Sequence, residues 1–295
     1  MSAVVTTEPR SESLTRPPAR VARRRWTSFV LPAYSAAVIL YLLIPIGIMI
    51  LYSFNVSRSH LPNVTFKWQG FTTQWYQEWN QIPGLTPAFF LSLKLAFSSA
   101  VTATVLGTLL ALALVRYRFR GKVVTEQVLF LNIAAPEIVL GASLLGLFIT
   151  LNLPRGFLTL FIAHVMFSIA YVAITVRARL SGFDMAVEQA AQDLGATPWV
   201  TFWTVTLPLI APGILAGGLL AFALSIDDFI TSTFVSGNSV TFPLWVFGAV
   251  KVGTPPQVFV MGTFIFTVGV TAAVINVLLQ WRRERAAQAH RAAAG

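Results

Sequence analysis

Of the 295 residues, 56% are apolar and only 11% charged, against roughly 45–50% and 25% in soluble domains, so too little charge remains to clothe a pair of water-soluble domains and the chain belongs in a membrane. The formal net charge is +10 and there is no cysteine, which excludes disulfide scaffolds, thiolate metal sites and cysteine nucleophiles. Three scattered histidines (His60, His164, His290) supply no metal cluster and no P-loop occurs, so the chain is expected to hold no metal, cofactor or nucleic acid and to leave ATP hydrolysis to another protein.

In chain order, residues 1–25 are rich in Ser, Thr, Pro and Arg and read as a disordered basic tail, whose arginines can touch anionic lipid. A bilayer core about 30 Å thick needs roughly 20 apolar helical residues. Six stretches meet that length: Phe29–Phe54, Pro87–Val115, Val124–Leu151, Gly156–Val176, Leu209–Val235 and Gln257–Trp281. The Arg-rich start of the first could imitate an export signal. A signal's apolar region is only about 7–15 residues long, however, and the run to Phe54 is far longer, so it reads as an uncleaved span. The expected fold class is all-α: a polytopic integral membrane protein with six transmembrane helices over 26–285 and a second tail at 286–295. Lys94 interrupts the second span and is expected to snorkel to the interface rather than line a path.

The connections carry basic charge unevenly. Arg10, Arg16, Arg20, Arg23, Arg24 and Arg25 precede the first span; Arg116, Arg118, Arg120 and Lys122 follow the second; Arg177 and Arg179 follow the fourth; Arg282, Arg283, Arg285 and Arg291 follow the sixth. The alternate loops hold Arg58, Lys67, Arg155 and Lys251 alone. The positive-inside rule then predicts that both termini are cytoplasmic.

The long connection at 177–208 contains Asp184, Glu188 and Asp193 and is expected to lie in the cytoplasm. Ser181 or Asp184 can cap a helix on which Phe183, Val187, Ala190 and Leu194 form one apolar stripe, with Asp184, Glu188 and Gln192 on the opposite side. Gly195 stands where a left-handed C-terminal cap is wanted. Thr197-Pro198 then reads as N-cap and first position of a second short helix carrying Trp199, Phe202 and Trp203, which Leu207-Pro208 is expected to stop. Such an elbow either reverses the chain at the interface or docks a soluble partner.

Gln189-Ala190-Ala191-Gln192-Asp193-Leu194-Gly195, followed after nine residues by Val205-Thr206-Leu207-Pro208, resembles the EAA coupling loop of inner-membrane permeases of bacterial ABC importers. The sequence departs from that pattern where the family's Glu before Ala-Ala is Gln189, with Glu188 one position earlier. One residue turns a helical side chain about 100°. Phe71-Thr72 with Trp75-Tyr76, Leu106-Gly107-Thr108 with Ala111, and Pro136-Glu137-Ile138-Val139 are similar to the same family. Ser225-Ile226-Asp227-Asp228-Phe229 with Phe234-Val235-Ser236-Gly237 resembles the spermidine/putrescine permeases, nearest to their second permease subunit. The resemblance implies a transport subunit, not an enzyme, in the inner membrane. It also implies a second permease subunit, two ATP-binding cassette subunits and a periplasmic substrate-binding protein as partners. It assigns ATPase coupling to Glu188, Gln189, Ala190, Ala191, Asp193, Leu194, Gly195, Leu207 and Pro208, and no catalytic residue.

Glu137, Asp227 and Asp228 fall inside expected spans. One acid at a helix centre costs roughly 2.5–3.5 kcal/mol, so these face partners, water or a translocation path. Counted along unbroken helices at 1.5 Å per residue, Asp227 lies about 27 Å into its span and Glu137 about 20 Å into its own. An organic cation needs negative charges and aromatic faces on its route, and Trp68, Trp75, Tyr76 and Trp79 are near at hand or form an interface belt. Glu137 after Pro136 either lines the path or starts a half-helix whose dipole steadies it. Of Asp227 and Asp228, about 100° apart on a helix, one is expected to meet the path while the other caps or pairs. Gly217-Gly218 permits close packing or a bend, and His164 reads as a packed, hydrogen-bonded residue. The function expected is import of polyamines or related organic cations; the rivals are an ABC permease for another small solute, a stand-alone cation-coupled carrier relaying protons through Glu137 and Asp227, and a membrane-embedded enzyme.

Overall fold

A computed structural model describes residues 27–56, 68–182 and 184–293. The basic tail, the loop residues Arg58, His60 and Lys67, and Phe183 of the apolar stripe lie outside the described residues. The described residues form twelve α-helices and one π-helical segment. In order they are α1 (Thr27–Tyr52), α2 (Gln74–Gln77), α3 (Leu85–Arg116), α4 (Lys122–Ala134), α5 (Glu137–Thr150), α6 (Phe157–Ser181), α7 (Ala186–Asp193) and α8 (Pro198–Thr201). The π segment Phe202–Thr206 follows, then α9 (Leu207–Asp227), α10 (Ile230–Val235), α11 (Phe242–Val252) and α12 (Gln257–Ala293). The chain divides into two units, Met1–Ile48 and Met49–Gly295. Most of α1 belongs to the first, an apolar helix with Pro32 and Pro45 inside it.

Among the described residues five helical stretches are long and apolar enough to cross a membrane, and α4 with α5 makes a sixth if that bent pair is one span. The expected span Val124–Leu151 is broken at Pro136-Glu137, where one of the two readings placed the start of a half-helix: α4 and α5 meet at 112°. The cause is local. Pro136 disfavours helical ψ in the residue before it, and Ala135 and Pro136 are both extended, with ψ 137° and 131°. A depth for Glu137 counted along a straight helix does not hold.

The expected span Leu209–Val235 is corrected in the same way. Helix α9 ends at Asp227, Asp228 is extended with ψ 119°, and α10 begins two residues later. At its other end the helix does not stop at Leu207-Pro208. Pro208 cannot donate to the carbonyl four residues back and would crowd it. The π segment absorbs that misfit, its last turn closed by Leu207 N–H on the Phe202 carbonyl, so Pro198–Asp227 runs as one span. Helix α12 continues past the expected end at Trp281 to Ala293, and α11 is an apolar helix that the six-span reading did not contain.

In the second unit, α3, α6 and α9 pack on one another around Ala103, Ala111, Val172, Val176 and Ile210. Small residues allow this closeness, as is general between membrane helices. A Cβ on Gly107 of α3 would lie 2.7 Å from Val172 Cβ, and one on Gly217 of α9 would lie 3.3 Å from Val172 Cα, so α6 is gripped at Val172 from both sides. Gly218 faces Thr104 at 2.9 Å by the same construction; the glycine pair serves packing. Helix α10 packs on α5, where Gly141 admits the Phe234 ring.

Of the aromatic residues expected near a path, Trp75, Tyr76 and Trp79 are used in packing, while Trp68 is exposed. Trp75 Nε1 donates to the Asn55 carbonyl at 2.8 Å, and Tyr76 and Ser53 hydroxyls are 2.7 Å apart. Trp79 packs beside Leu85 and Phe242. Lys94 is exposed, its Nζ 4.9 Å from the centre of the Phe157 ring.

Candidate functional site

Two helix breaks, one between α4 and α5 and one between α9 and α10, open onto the same cavity of about 430 Å³. Its lining includes Glu137, Asp227 and Asp228 with the aromatic rings of Phe167, Tyr171 and Phe229. Three acids separated by up to 91 positions thus line one cavity at the two chain breaks.

The three carboxylates have different surroundings. Asp228 is held by the first turn of α10: its Oδ2 accepts from Ser232 N at 2.8 Å and Ser232 Oγ at 2.7 Å, and its Oδ1 accepts from Thr231 N at 3.3 Å. His164, fully buried on α6, brings Nε2 to 3.5 Å from Asp228 Oδ2 and 3.1 Å from Ser232 Oγ. Its Nδ1 lies 2.7 Å from Ser225 Oγ, which in turn lies 3.0 Å from Ser99 Oγ on α3. Ser99 Oγ in turn donates to the Leu95 carbonyl at 2.7 Å, which ties the chain to the backbone of α3. Glu137 sits in the first turn of α5, where the positive end of the helix dipole offsets its charge. Asp227 is exposed at the C-terminal end of α9, where the dipole has the same sign as the carboxylate and reinforces it. The arrangement leaves one capped, paired acid and two that face open space, which suits a solute bearing positive charge.

Among the described residues no group of three or more His, Asp or Glu is disposed to hold a metal ion.

The second constellation is the elbow of α7, α8 and the π segment. Asp184 Oδ1 accepts from Ala186 N at 2.9 Å at its start. Gly195 closes α7 with φ +92°, as its place after Leu194 predicts, and Ala196 N donates back to the Ala191 carbonyl at 3.1 Å. Thr197 Oγ1 caps α8 from Val200 N at 3.4 Å. The apolar stripe points away from the body of the chain: Leu194 is 90% exposed, Trp199 is 70% exposed, and Val187 and Trp203 are exposed as well. An apolar patch of this kind on a polar elbow suits either a docked partner or the membrane interface. Gln189, Ala190, Asp193 and Pro208 are exposed with it, while Ala191 and Leu207 are half-buried.

Glu188 is the exception. It is 6% exposed and turned inward, pairing with Arg116 at the end of α3 and accepting from Thr206 Oγ1. Sequence reasoning read Arg116 only as a topology charge and Thr206 only as part of the Val205–Pro208 motif, and did not name Ser99 or Ser232. Ser225 stood inside the quoted Asp-Asp stretch, the one signal that could have directed attention to it.

Comparison with known proteins agrees with this architecture. The family described as binding-protein-dependent transport system inner membrane component matches residues 103–285. The spermidine/putrescine transport system permease protein PotC of Escherichia coli (strain K12) is 40% identical over 247 residues, covering 83% of this chain and 92% of that one. The putrescine transport system permease protein PotI of the same strain is 38% identical over 248 residues, covering 81% and 86%. Among solved structures, a bacterial ABC transporter involved in the import of the acidic polysaccharide alginate superposes with a TM-score of 0.61 at 16% identity, covering 87% of this chain and 96% of that one. That likeness extends to the fold.

Proposed function

The chain belongs to the binding-protein-dependent transport system inner membrane components, multi-pass subunits of bacterial ABC importers, and from that membership we propose that it carries polyamines such as spermidine or putrescine across the inner membrane. The observation that carries the reading is the cavity in which Glu137, Asp227 and Asp228 meet aromatic rings. A polyamine spreads positive charge along a flexible apolar chain. Separated carboxylates answer its charges, and ring faces replace part of the lost hydration. The names and identities of the two permease relatives support the same solute class. An anionic solute would meet repulsion from the uncapped Asp227.

In this reading residues 26–285 are the permease domain, 1–25 and 286–295 are tails, and both termini and the 177–208 elbow are cytoplasmic. A second permease subunit completes the path. Two ATP-binding cassette subunits sit below, one gripping the exposed elbow residues Gln189, Ala190, Asp193, Leu194 and Gly195, and a periplasmic substrate-binding protein delivers solute from above. ATP-driven movement of the elbow tilts the spans and opens the cavity alternately to either side. This subunit makes and breaks no covalent bond.

The test is uptake into proteoliposomes holding the complete importer. Labelled spermidine is expected to enter only with ATP, and Asp227→Asn is expected to reduce its entry. Undiminished uptake by that variant, or preferential uptake of an anion, sinks the polyamine assignment. Uptake by this chain alone on a cation gradient would establish the carrier reading instead.

A further inference from the structure

Resting on the reading of the chain as an ATP-driven permease subunit, we infer that Arg116, Glu188 and Thr206 form an internal clasp that carries movement of the elbow into the transmembrane helices. Glu188 is then a positioning residue of this subunit and not a contact of the ATP-binding partner.

Helix α7 is eight residues long, and Glu188 is its one buried residue. A carboxylate buried on a helix whose apolar stripe is exposed reverses the usual inside–outside order, which calls for a specific reason. Its partners supply one. Arg116 is the last residue of α3, and Thr206 is the last of the π segment, immediately before α9. The same carboxylate oxygen takes Arg116 Nη2 and Thr206 Oγ1, and Arg116 Nη2 reaches Thr206 Oγ1 at 3.3 Å. One side chain of the elbow is therefore tied at once to α3 and to the root of α9, two of the three helices that pack at the centre.

The other polar side chains on and just before α7 are turned outward or held locally. Gln189, Gln192 and Asp193 are exposed, and Asp184 is engaged with the backbone of Ala186. Arg116 Nε is buried with no hydrogen-bond partner, so the guanidinium depends on Glu188 for compensation. Glu188 is buried and Arg116 half-buried, so losing the arginine strands the carboxylate. The π segment beneath the clasp is a wider turn of the kind often found where helices serve a function. A push on Leu194 and Trp199 thus meets a lever with its fulcrum at Gly195 and its link at Glu188.

The experiment uses the complete importer in proteoliposomes and reads two quantities: solute imported per ATP hydrolysed, and co-purification of the ATP-binding subunit. Glu188→Gln is expected to lower import per ATP roughly tenfold, within the 5–150-fold span typical of coupling between sites, while the ATP-binding subunit still co-purifies. Reversing the pair, Arg116→Glu with Glu188→Arg, is expected to recover most of the loss. Should Glu188→Gln fail to accumulate, Glu188→Asp keeps the charge and withdraws it by one methylene, and a lowered import per ATP is again expected. Unaltered import per ATP in whichever variant accumulates overturns the clasp. So does loss of the ATP-binding subunit from Glu188→Gln, because Glu188 would then be a docking contact. Failure of the unmodified chain to bring down an ATP-binding subunit overturns the permease reading itself, and the clasp with it.

Discussion

Gly195 ends α7 with φ +92°, and a Cβ added there would meet nothing within 4 Å. The position is therefore closed to other residues by backbone conformation and not by lack of room. A left-handed backbone costs an L-residue roughly 1–2 kcal/mol, while Asn adopts it readily and β-branched residues poorly. Replacing Gly195 by Asn, Ala and Val should then impair the elbow in that order, regardless of the space each fills. If the strained turn opens, the hydrogen bonds from Gly195 N to Gln192 O (2.9 Å) and from Ala196 N to Ala191 O (3.1 Å) go with it. One to two kcal/mol shifts a two-state balance by a factor of about 5–30. Gly195→Val is accordingly expected to lose about that much ATP-driven uptake, and Gly195→Asn to lose little. The assay is initial uptake into proteoliposomes at fixed ATP, with ATP hydrolysis followed in parallel. Equal activity of the Asn and Val variants, or a loss that tracks side-chain volume, would refute the backbone argument.

Other outcomes follow from the packing and the cavity. Gly107→Ala puts a Cβ 2.7 Å from Val172 Cβ and 3.0 Å from the Ile169 carbonyl, and is expected to cost about 1–3 kcal/mol; Gly146→Ala on α5, with nothing within 4 Å, is expected to stabilise by about 0.5–1 kcal/mol. Denaturation of the two purified variants in detergent separates these, and equal shifts contradict the packing described. Asp228→Ala removes the cap of α10 and is expected to cost about 0.5–2 kcal/mol, whereas Asp227→Asn should leave denaturation unchanged and lower cation uptake; the opposite pattern reverses the two roles. His164→Phe keeps much of the volume but removes one hydrogen-bond partner each from Ser225 and Ser232, which retain Ser99 Oγ and Asp228 Oδ2, so a loss of about 0.5–1.5 kcal/mol per bond is expected, and an unaltered denaturation midpoint refutes the network.

The helical class and the apolar spans were legible because a bilayer imposes a length and a composition that composition alone reveals. The elbow was legible because its punctuation is local: Gly195 and Thr197-Pro198 act within a few residues, and both do in the structure what their chemistry allows. The breaks were half legible. Pro136 announces an extended Ala135, but the 112° angle depends on where α5 finds α10, and that contact joins segments far apart in sequence. Asp227-Asp228 reads as one acid for the path and one that caps or pairs, and Asp228 does cap α10 beside His164; that this cap also ends α9 was not legible, because neither residue forces a helix to stop. The inward turn of Glu188 was not legible at all. Helical periodicity assigns faces relative to one another, and which face meets the body depends on Arg116 at the end of α3, a partner 72 positions away. Leu207-Pro208 misled because proline usually ends a helix, and the π turn that rescues it leaves no trace in the pattern.

The absence of native cysteine makes the central claim open to a direct measurement. Leu194→Cys places a single thiol on the elbow at a position that is 90% exposed. In inside-out vesicles lacking the ATP-binding subunits a membrane-impermeant maleimide is predicted to label it fast, and adding those subunits is predicted to protect it. Labelling from the periplasmic face, or labelling equally fast with the subunits bound, would contradict the account.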